Sequence, residues 1–246
     1  MVLVPLSRRR RRQSGRTNAY GAGRGRITGS FSLRVCVLPA LGAGLLRRLP
    51  AHSRRRSGAD RLSRRLHLRI GDRAREGPQY GTPEPHTLED YRIRHALYKT
   101  DPELRAAHAH CPWIVTWDDH EVANDYADDR GEALNGREWL LARRAAAYRA
   151  YFEHLPLRRQ MVPFGPHMRL YHRVAFGRLV QFHLLDDRQY RGHQPCTPAG
   201  RGGSANVEQS AERLDPKLSL LGVDQEKWLE AGLDRSRARW NVLGQQ

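Results

Sequence analysis

Residues 113–129 read WIVTWDDHEVANDYADD. The first five are apolar or β-branched, which is typical of a short buried strand. A dense group of carboxylates, with one imidazole and one carboxamide, follows at once: Asp118, Asp119, His120, Glu121, Asn124, Asp125, Asp128 and Asp129. Side chains of this kind suit hard divalent or trivalent cations. The stretch therefore predicts a metal site at a strand end, and a solvated acidic loop is the alternative.

The positive charge of the chain is confined to its first third. Residues 1–76 carry 20 Arg, no Lys and three acidic residues, so this segment alone accounts for the net charge of +17. The remaining 23 basic and 23 acidic residues cancel. With few apolar side chains to bury, residues 1–76 are predicted to be disordered, and residues 77–246 form the globular part. An alternative function follows from the same arginines, namely a basic module that binds nucleic acid or an anionic surface.

The globular part alternates helices with strands. Thr87 is a predicted N-cap and Pro102 opens a second helix. Further elements are a helix over 135–154, a hairpin of strands 169–174 and 179–185 about Gly177, a helix over 223–236 and a strand from Trp240. This order predicts a layered α/β fold whose site lies at one edge of the sheet.

A second strand also ends in charge, in the sequence LLDDRQYR. An arginine there, Arg188 or Arg191, could bind phosphate through two parallel hydrogen bonds. A metal ion in the acidic loop would lower the pKa of bound water from about 15.7 toward 7. His120 could then protonate a leaving oxygen. A calcium-stabilised turn without any chemistry is the third interpretation of the loop.

Three blocks carry a family resemblance: YRIRHALYKTDPELRAAHAHCPWIVTWDDHEVANDYADD, LLDDRQYRGHQPC and DQEKWLEAGLDRSRARWNVLGQQ. In order and spacing they resemble the alkaline phosphatase D (PhoD-like) family of metallophosphatases, over about residues 79–246. The resemblance implies a calcineurin-like sheet with helices on its faces. It also implies hydrolysis of phosphate monoesters or diesters at an iron and calcium site, usually outside the cytoplasm. Neither a specific nucleic-acid partner nor a membrane span is expected.

The resemblance also implies roles for individual residues. WDDHE is similar to the asparagine-histidine loop of calcineurin-like phosphoesterases. Asp119 would ligate a metal, and Asp118 and Asn124 would belong to the metal shell. His120 and Arg188 would face the phosphate. Asp187 stands where the family typically has threonine.

Some ligands that the family supplies have no counterpart in this sequence. The family contributes a cysteine, an aspartate and a tyrosine upstream of WDDHE, and an aspartate-x-histidine motif that would fall beyond Gln246. Residues 64–69, RRLHLR, match what codons for a family-like Leu-Gly-Asp-Tyr-Ile-Tyr-Glu segment would give if they were read one base out of register. About residues 33–70 are therefore predicted to be out-of-frame. An incomplete metal site and sheet, poor folding and little or no phosphatase activity are the expected consequences.

Overall fold

The computed structural model describes residues 2–8, 31–33, 36–37, 83–110, 112–205 and 210–246. The helices are α1 (Leu88–Lys99), α2 (Pro102–His110), α3 (Arg137–His154) and α4 (Val223–Asp234). The strands are β1 (Val2–Arg8), β2 (Phe31–Leu33), β3 (Cys36–Val37), β4 (Trp113–Val115), β5 (His172–Phe176), β6 (Val180–Leu184) and β7 (Trp240–Gly244). From α1 onward the elements occur in the predicted order, whereas β1, β2 and β3 are strands within residues 1–76, for which disorder was predicted.

The starts of α1 and α2 follow from local hydrogen bonds. The Thr87 side chain accepts from the Asp90 backbone N–H at 3.2 Å, and the Asp90 carboxylate accepts from Thr87 N at 2.8 Å. This reciprocal capping box satisfies two of the unpaired N–H groups that every helix start exposes. At α2, the Asp101 carboxylate accepts from Leu104 N at 2.8 Å. Both predicted helix starts are confirmed.

β4 separates two apolar clusters, because successive side chains of a strand point to opposite faces. Val115 packs in a cluster built with α1 and α3, whose members include Tyr91, Leu140 and Tyr148. Ile114 points the other way, into a cluster of side chains from the β5–β6–β7 sheet. β4 therefore lies between a helical layer and a sheet, and the polar residues that follow it leave the core at one edge.

The predicted hairpin is present. β5 pairs antiparallel with β6, and Gly177 takes a φ of +56° in the turn, a conformation that glycine adopts without steric cost. β7 pairs parallel with β6, from Val180 opposite Trp240 to Leu184 opposite Gly244. The carboxyl ends of β6 and β7 therefore lie at the same edge.

The amino-terminal strands form a second sheet with β4, separate from the β5–β6–β7 sheet. β1 pairs antiparallel with β4 and with both β2 and β3. Most of residues 1–76 lies outside the described residues, as does most of the segment assigned to an out-of-frame reading, so the disorder of those parts and the reading frame stay predictions. Of the helices in the described part of the chain, none is long and apolar enough to cross a membrane.

A pair of stacked imidazoles joins α1 to α3. The rings of His95 and His154 lie 4.9 Å apart with planes only 14° from parallel. Burial, together with the charges of His154 and Lys99, lowers the pKa of His95 to about 4. The folded state thus disfavours protonated His95. The contribution of neutral His95 to the free energy of unfolding is complete above the ordinary histidine pKa of 6.5. It is lost as the pH falls through about 4.

We expect His95→Gln to flatten the acid destabilisation of the protein. Between pH 6.5 and 4 the wild-type free energy of unfolding should fall more steeply than that of the variant, by on the order of 2 kcal/mol. Urea unfolding at several pH values measures this difference. His110→Gln, at an exposed position of α2, is the control. Parallel pH profiles for wild type and His95→Gln would contradict the prediction.

Candidate active site at the joined ends of two strands

Buried hydrogen bonds hold the residues after β4 against those after β6. The Thr116 hydroxyl donates to the carbonyl oxygen of Leu185 at 2.6 Å. The Trp117 indole Nε1–H donates to Asp186 Oδ1 at 2.9 Å. Thr116, Trp117 and Asp186 have at most 1% of their surface exposed. The two polar strand ends that the sequence predicts separately therefore form one site.

The Asp186 carboxylate is surrounded by donors. Its Oδ1 also accepts from the backbone N–H groups of Arg188 at 3.1 Å and Gln189 at 2.9 Å, and its Oδ2 accepts from the Gln189 side chain at 3.2 Å. Burial raises the pKa of Asp186, and these donors oppose the rise. From α4, Gln225 bonds both the N–H and the C=O of Asp186, at 2.8 and 2.9 Å. Asp186 thus fixes the turn that carries Arg188.

Arg188 crosses from the β6 end to the β4 end. Its Nη2 and Nε donate to Asp118 Oδ1 at 2.7 and 3.0 Å. Nη2 lies 3.6 Å from Asp119 Oδ1, and Nη1 lies 3.9 Å from Asp125 Oδ1. Nε also donates to the side-chain oxygen of Gln246, just past β7, at 3.2 Å. One guanidinium group therefore faces three carboxylates, with only 11% of its side chain exposed.

Asp118 and Asp119 form a coupled carboxylate pair. Burial opposes ionisation of Asp118, but the hydrogen bond with Asp119 and the charge of Arg188 lower its pKa. Burial and the hydrogen bond with Asp118 raise the pKa of Asp119. Asp118 is thus the more acidic member of the pair. Asp119 also closes the loop, because its Oδ2 accepts from Asp125 N at 2.7 Å.

His120 and Asn124 form the exposed rim of the loop. His120 Nε2 lies 2.8 Å from Asn124 Oδ1 and 3.7 Å from Asp119 Oδ2. The Asn124 amide N–H₂ donates to Glu132. The His120 side chain is 58% exposed, so it can reach a molecule that approaches from solvent. The predicted residues Asp118, Asp119, His120, Asn124 and Arg188 are all brought together.

The remaining carboxylates of the acidic stretch serve other contacts. Asp125 has a φ of +51°, and its Oδ2 accepts from the hydroxyl of Ser204 at 2.8 Å. Asp128, with a φ of +49°, lies 3.4 Å from Arg144 of α3. Asp129 pairs with Arg137 at 2.6 Å and with His193 at 2.8 Å. Asp128 and Asp129 therefore anchor the loop to its surroundings.

Asp187, which the family resemblance places where a threonine is expected, is buried beside the site. Asp187 is 3% exposed, and within the described part of the chain its Oδ1 has no hydrogen-bond partner. Burial, together with the charge of Asp186, raises the pKa of Asp187 to about 6. Burial also lowers the pKa of Arg191. The charges of Asp187 and Asp125 partly offset this decrease.

The described side chains supply only part of a metal site. Asp118 is held by Arg188, and Asn124 Oδ1 is engaged by His120. Across the described residues, no group of three or more His, Cys, Asp or Glu side chains is placed to hold a metal ion. Oxygen donors such as Asp119 and Asn124 have the right chemistry for hard cations, but alone they do not make a complete site.

Comparisons with known proteins point to one family. The model of the PhoD-like phosphatase family matches residues 64–246. Alkaline phosphatase D of Bacillus subtilis (strain 168) is 49% identical over 160 residues, which cover 65% of this chain and 26% of that protein. A solved structure of PhoD matches with a TM-score of 0.64 at 48% identity, covering 68% of this chain and 31% of that chain.

The layered sheet and its strand-end site define an α/β metallophosphatase-like fold. The chain belongs to the PhoD-like phosphatase family, whose members are metal-dependent in general. It spans about a quarter of the length of the curated relative that it matches. The family model begins at residue 64, inside the Arg-rich segment. The comparisons give no support to a basic binding module.

Three contributors to the site are not evident from the sequence. Glu132 holds Asn124, His193 holds Asp129, and Gln246 contacts Arg188. His193 follows the charged end of β6 by a few residues, which is a weak signal. Gln246 lies 58 residues beyond Arg188 and reaches it only because β7 pairs in parallel with β6.

Trp117→Phe should destabilise the protein, because it removes one donor from a fully buried carboxylate. A loss of about 1–3 kcal/mol in the free energy of unfolding is expected. Urea denaturation followed by far-ultraviolet circular dichroism measures it. Trp240→Phe is the matched control, since Trp240 is 60% exposed. Equal losses of unfolding free energy in the two variants would contradict a stabilising contribution from the Trp117–Asp186 hydrogen bond.

Proposed function

We propose that this protein acts on phosphate esters, as a hydrolase of monoesters or diesters. The observation that carries the proposal is the position of Arg188, which the buried Asp186 turn fixes beside the Asp118–Asp119 pair. A guanidinium group there could bind two phosphate oxygens in parallel once its Nε and Nη2 exchange Asp118 for the phosphate. The exposed His120 lies at the same edge.

Each candidate residue has a proposed role. Arg188 binds the phosphate, and His120 donates a proton to the oxygen of the leaving alcohol. Hydrolysis consumes one water, whose oxygen bonds to phosphorus as the ester P–O bond breaks. Asp118, Asp119 and Asn124 would contribute oxygens to bound metal ions, which by family likeness would be iron and calcium. Such ions, when bound, supply an activated water and neutralise phosphate charge.

The activity of the chain itself is expected to be impaired. A metal ion held by Asp119 and Asn124 would lack further ligands among the described residues, whereas paired-metal chemistry requires two ions about 3.5–4 Å apart.

The proposed substrate class is phosphate esters. The expected site of action is outside the cytoplasm, as the family likeness suggests.

Binding of inorganic phosphate tests the proposed role of Arg188. With calcium and iron present, calorimetric titration should show binding to the wild-type chain. Arg188→Ala should weaken it about 10- to 100-fold, because a charge-assisted hydrogen bond contributes about 1.5–3 kcal/mol. Arg149→Ala removes an exposed arginine that pairs with Glu153 on α3 and should leave affinity unchanged.

Folding of both variants is checked by circular dichroism before the titration. An Arg188→Ala variant that is folded and binds phosphate like wild type would contradict the proposed phosphate site. Phosphate binding that is weakened as much by Arg149→Ala as by Arg188→Ala would also contradict the proposed phosphate site.

Turnover of p-nitrophenyl phosphate tests the expected impairment. The purified chain with calcium and iron should hydrolyse it far more slowly than an ordinary enzyme, whose kcat is about 10 per second. Turnover at that ordinary rate would show that the chain carries a complete metal site.

A further inference from the structure

A cavity of about 480 Å³ adjoins the candidate site on its Asn124 side. It lies between the loop that follows β4 and the first turns of α3. Its wall includes Glu84, His86, Asn124, Asp129, Trp139 and His193. Asn124 is shared with the site, because its Oδ1 is hydrogen-bonded to His120. A molecule held by His120 would therefore lie next to this space.

The charges in the cavity wall balance. Three acidic and three arginine residues line it: Glu84, Asp129, Glu132, Arg130, Arg137 and Arg143. Several are already paired across the wall, as in Arg137–Asp129 at 2.6 Å and Arg143–Glu84 at 2.6 Å. A wall of this kind offers no excess charge to a second anionic group, although it retains hydrogen-bonding capacity for hydroxyls. The occupant it suits is electrically neutral.

One wall is an aromatic surface. Trp139, in the first turn of α3, keeps 38% of its surface exposed, although a large apolar side chain gains free energy from burial. The His86 ring lies 5.4 Å from the Trp139 ring, and the Arg143 guanidinium lies 5.4 Å from its centroid. These neighbours hold the indole in place. A ring entering the cavity would cover the exposed part of Trp139.

The size of the cavity points to more than a phosphate group. Pockets that enclose organic ligands measure about 300–1,000 Å³, and this one falls within that range. The phosphate itself is expected at Arg188, which is not among the residues that line the cavity. The cavity therefore has room for the organic portion of an ester.

We propose that this cavity is the subsite for the alcohol portion of the substrate, and that the preferred alcohol is neutral and carries a ring that packs on Trp139. The proposal rests on the proposed function, since it is the phosphate site that makes the neighbouring cavity a leaving-group subsite. Trp139 is then a specificity-determining residue, and it lies outside the three sequence blocks that carry the family resemblance.

The test follows the indole N–H signals of the ¹⁵N-labelled chain, with calcium and iron present, by two-dimensional NMR. Trp139→Ala identifies the Trp139 signal. Phenyl phosphate, phenol and inorganic phosphate are the three probes. The Trp139 signal should shift saturably with phenyl phosphate and with phenol, and should stay in place with inorganic phosphate. Phenyl phosphate should bind about tenfold more tightly than inorganic phosphate, and Trp139→Ala should remove this difference.

Trp240→Ala is the matched control, because it removes an exposed tryptophan from β7 and should change none of the affinities. Phosphate binding with no response of Trp139 to either ring-bearing probe would overturn the subsite. A Trp139 response to phenol without phosphate binding would keep the ring-binding cavity and contradict the phosphate site. No response to any probe would refute both proposals.

Discussion

The fully buried carboxylate of Asp186 is the constraint on which the site depends. A carboxylate without solvent must find donors inside the protein, and Asp186 takes them from the Trp117 indole, the Gln189 side chain and two backbone N–H groups. Trp117 follows β4 and Asp186 follows β6, so these bonds join two strands that are far apart in the chain. The same turn directs Arg188 toward Asp118. Losing this network would weaken the connection between the two halves of the site, which the Thr116–Leu185 bond would then have to maintain.

This arrangement explains how family membership and an incomplete metal site coexist in one chain. The part of the fold that positions Arg188, His120 and the Asp118–Asp119 pair is formed by β4, β6, β7 and α4, and all four lie within the stretch that matches the family. Metal ions need ligands that converge from several strand ends. Within the described residues the oxygens near His120 are already engaged by Arg188 or by backbone N–H groups. The described residues thus place an arginine beside the acidic loop but leave the metal site incomplete.

Local chemistry made much of the fold predictable. Thr87 and Asp90 form the capping box that begins α1, and Gly177 occupies the turn of the hairpin because it accepts a positive φ. The strand-end site was predictable because apolar runs stop abruptly at Asp118 and Asp186. The direction of each carboxylate was not, because Asp128 turns toward α3 through a positive φ that no local pattern requires. Contacts such as Gln246 with Arg188 depend on strand pairing and leave no mark in the nearby sequence.

Hydrogen exchange of the Trp117 indole N–H tests the central claim most directly, namely that a buried Trp117–Asp186 bond joins the two strand ends. Exchange into D₂O, followed by NMR with the signal assigned through Trp117→Phe, should be slowed to the rate set by global unfolding, as for the most protected core amides. The exposed Trp240 indole should exchange at once. A Trp117 signal that disappears as quickly as that of Trp240 would contradict the account.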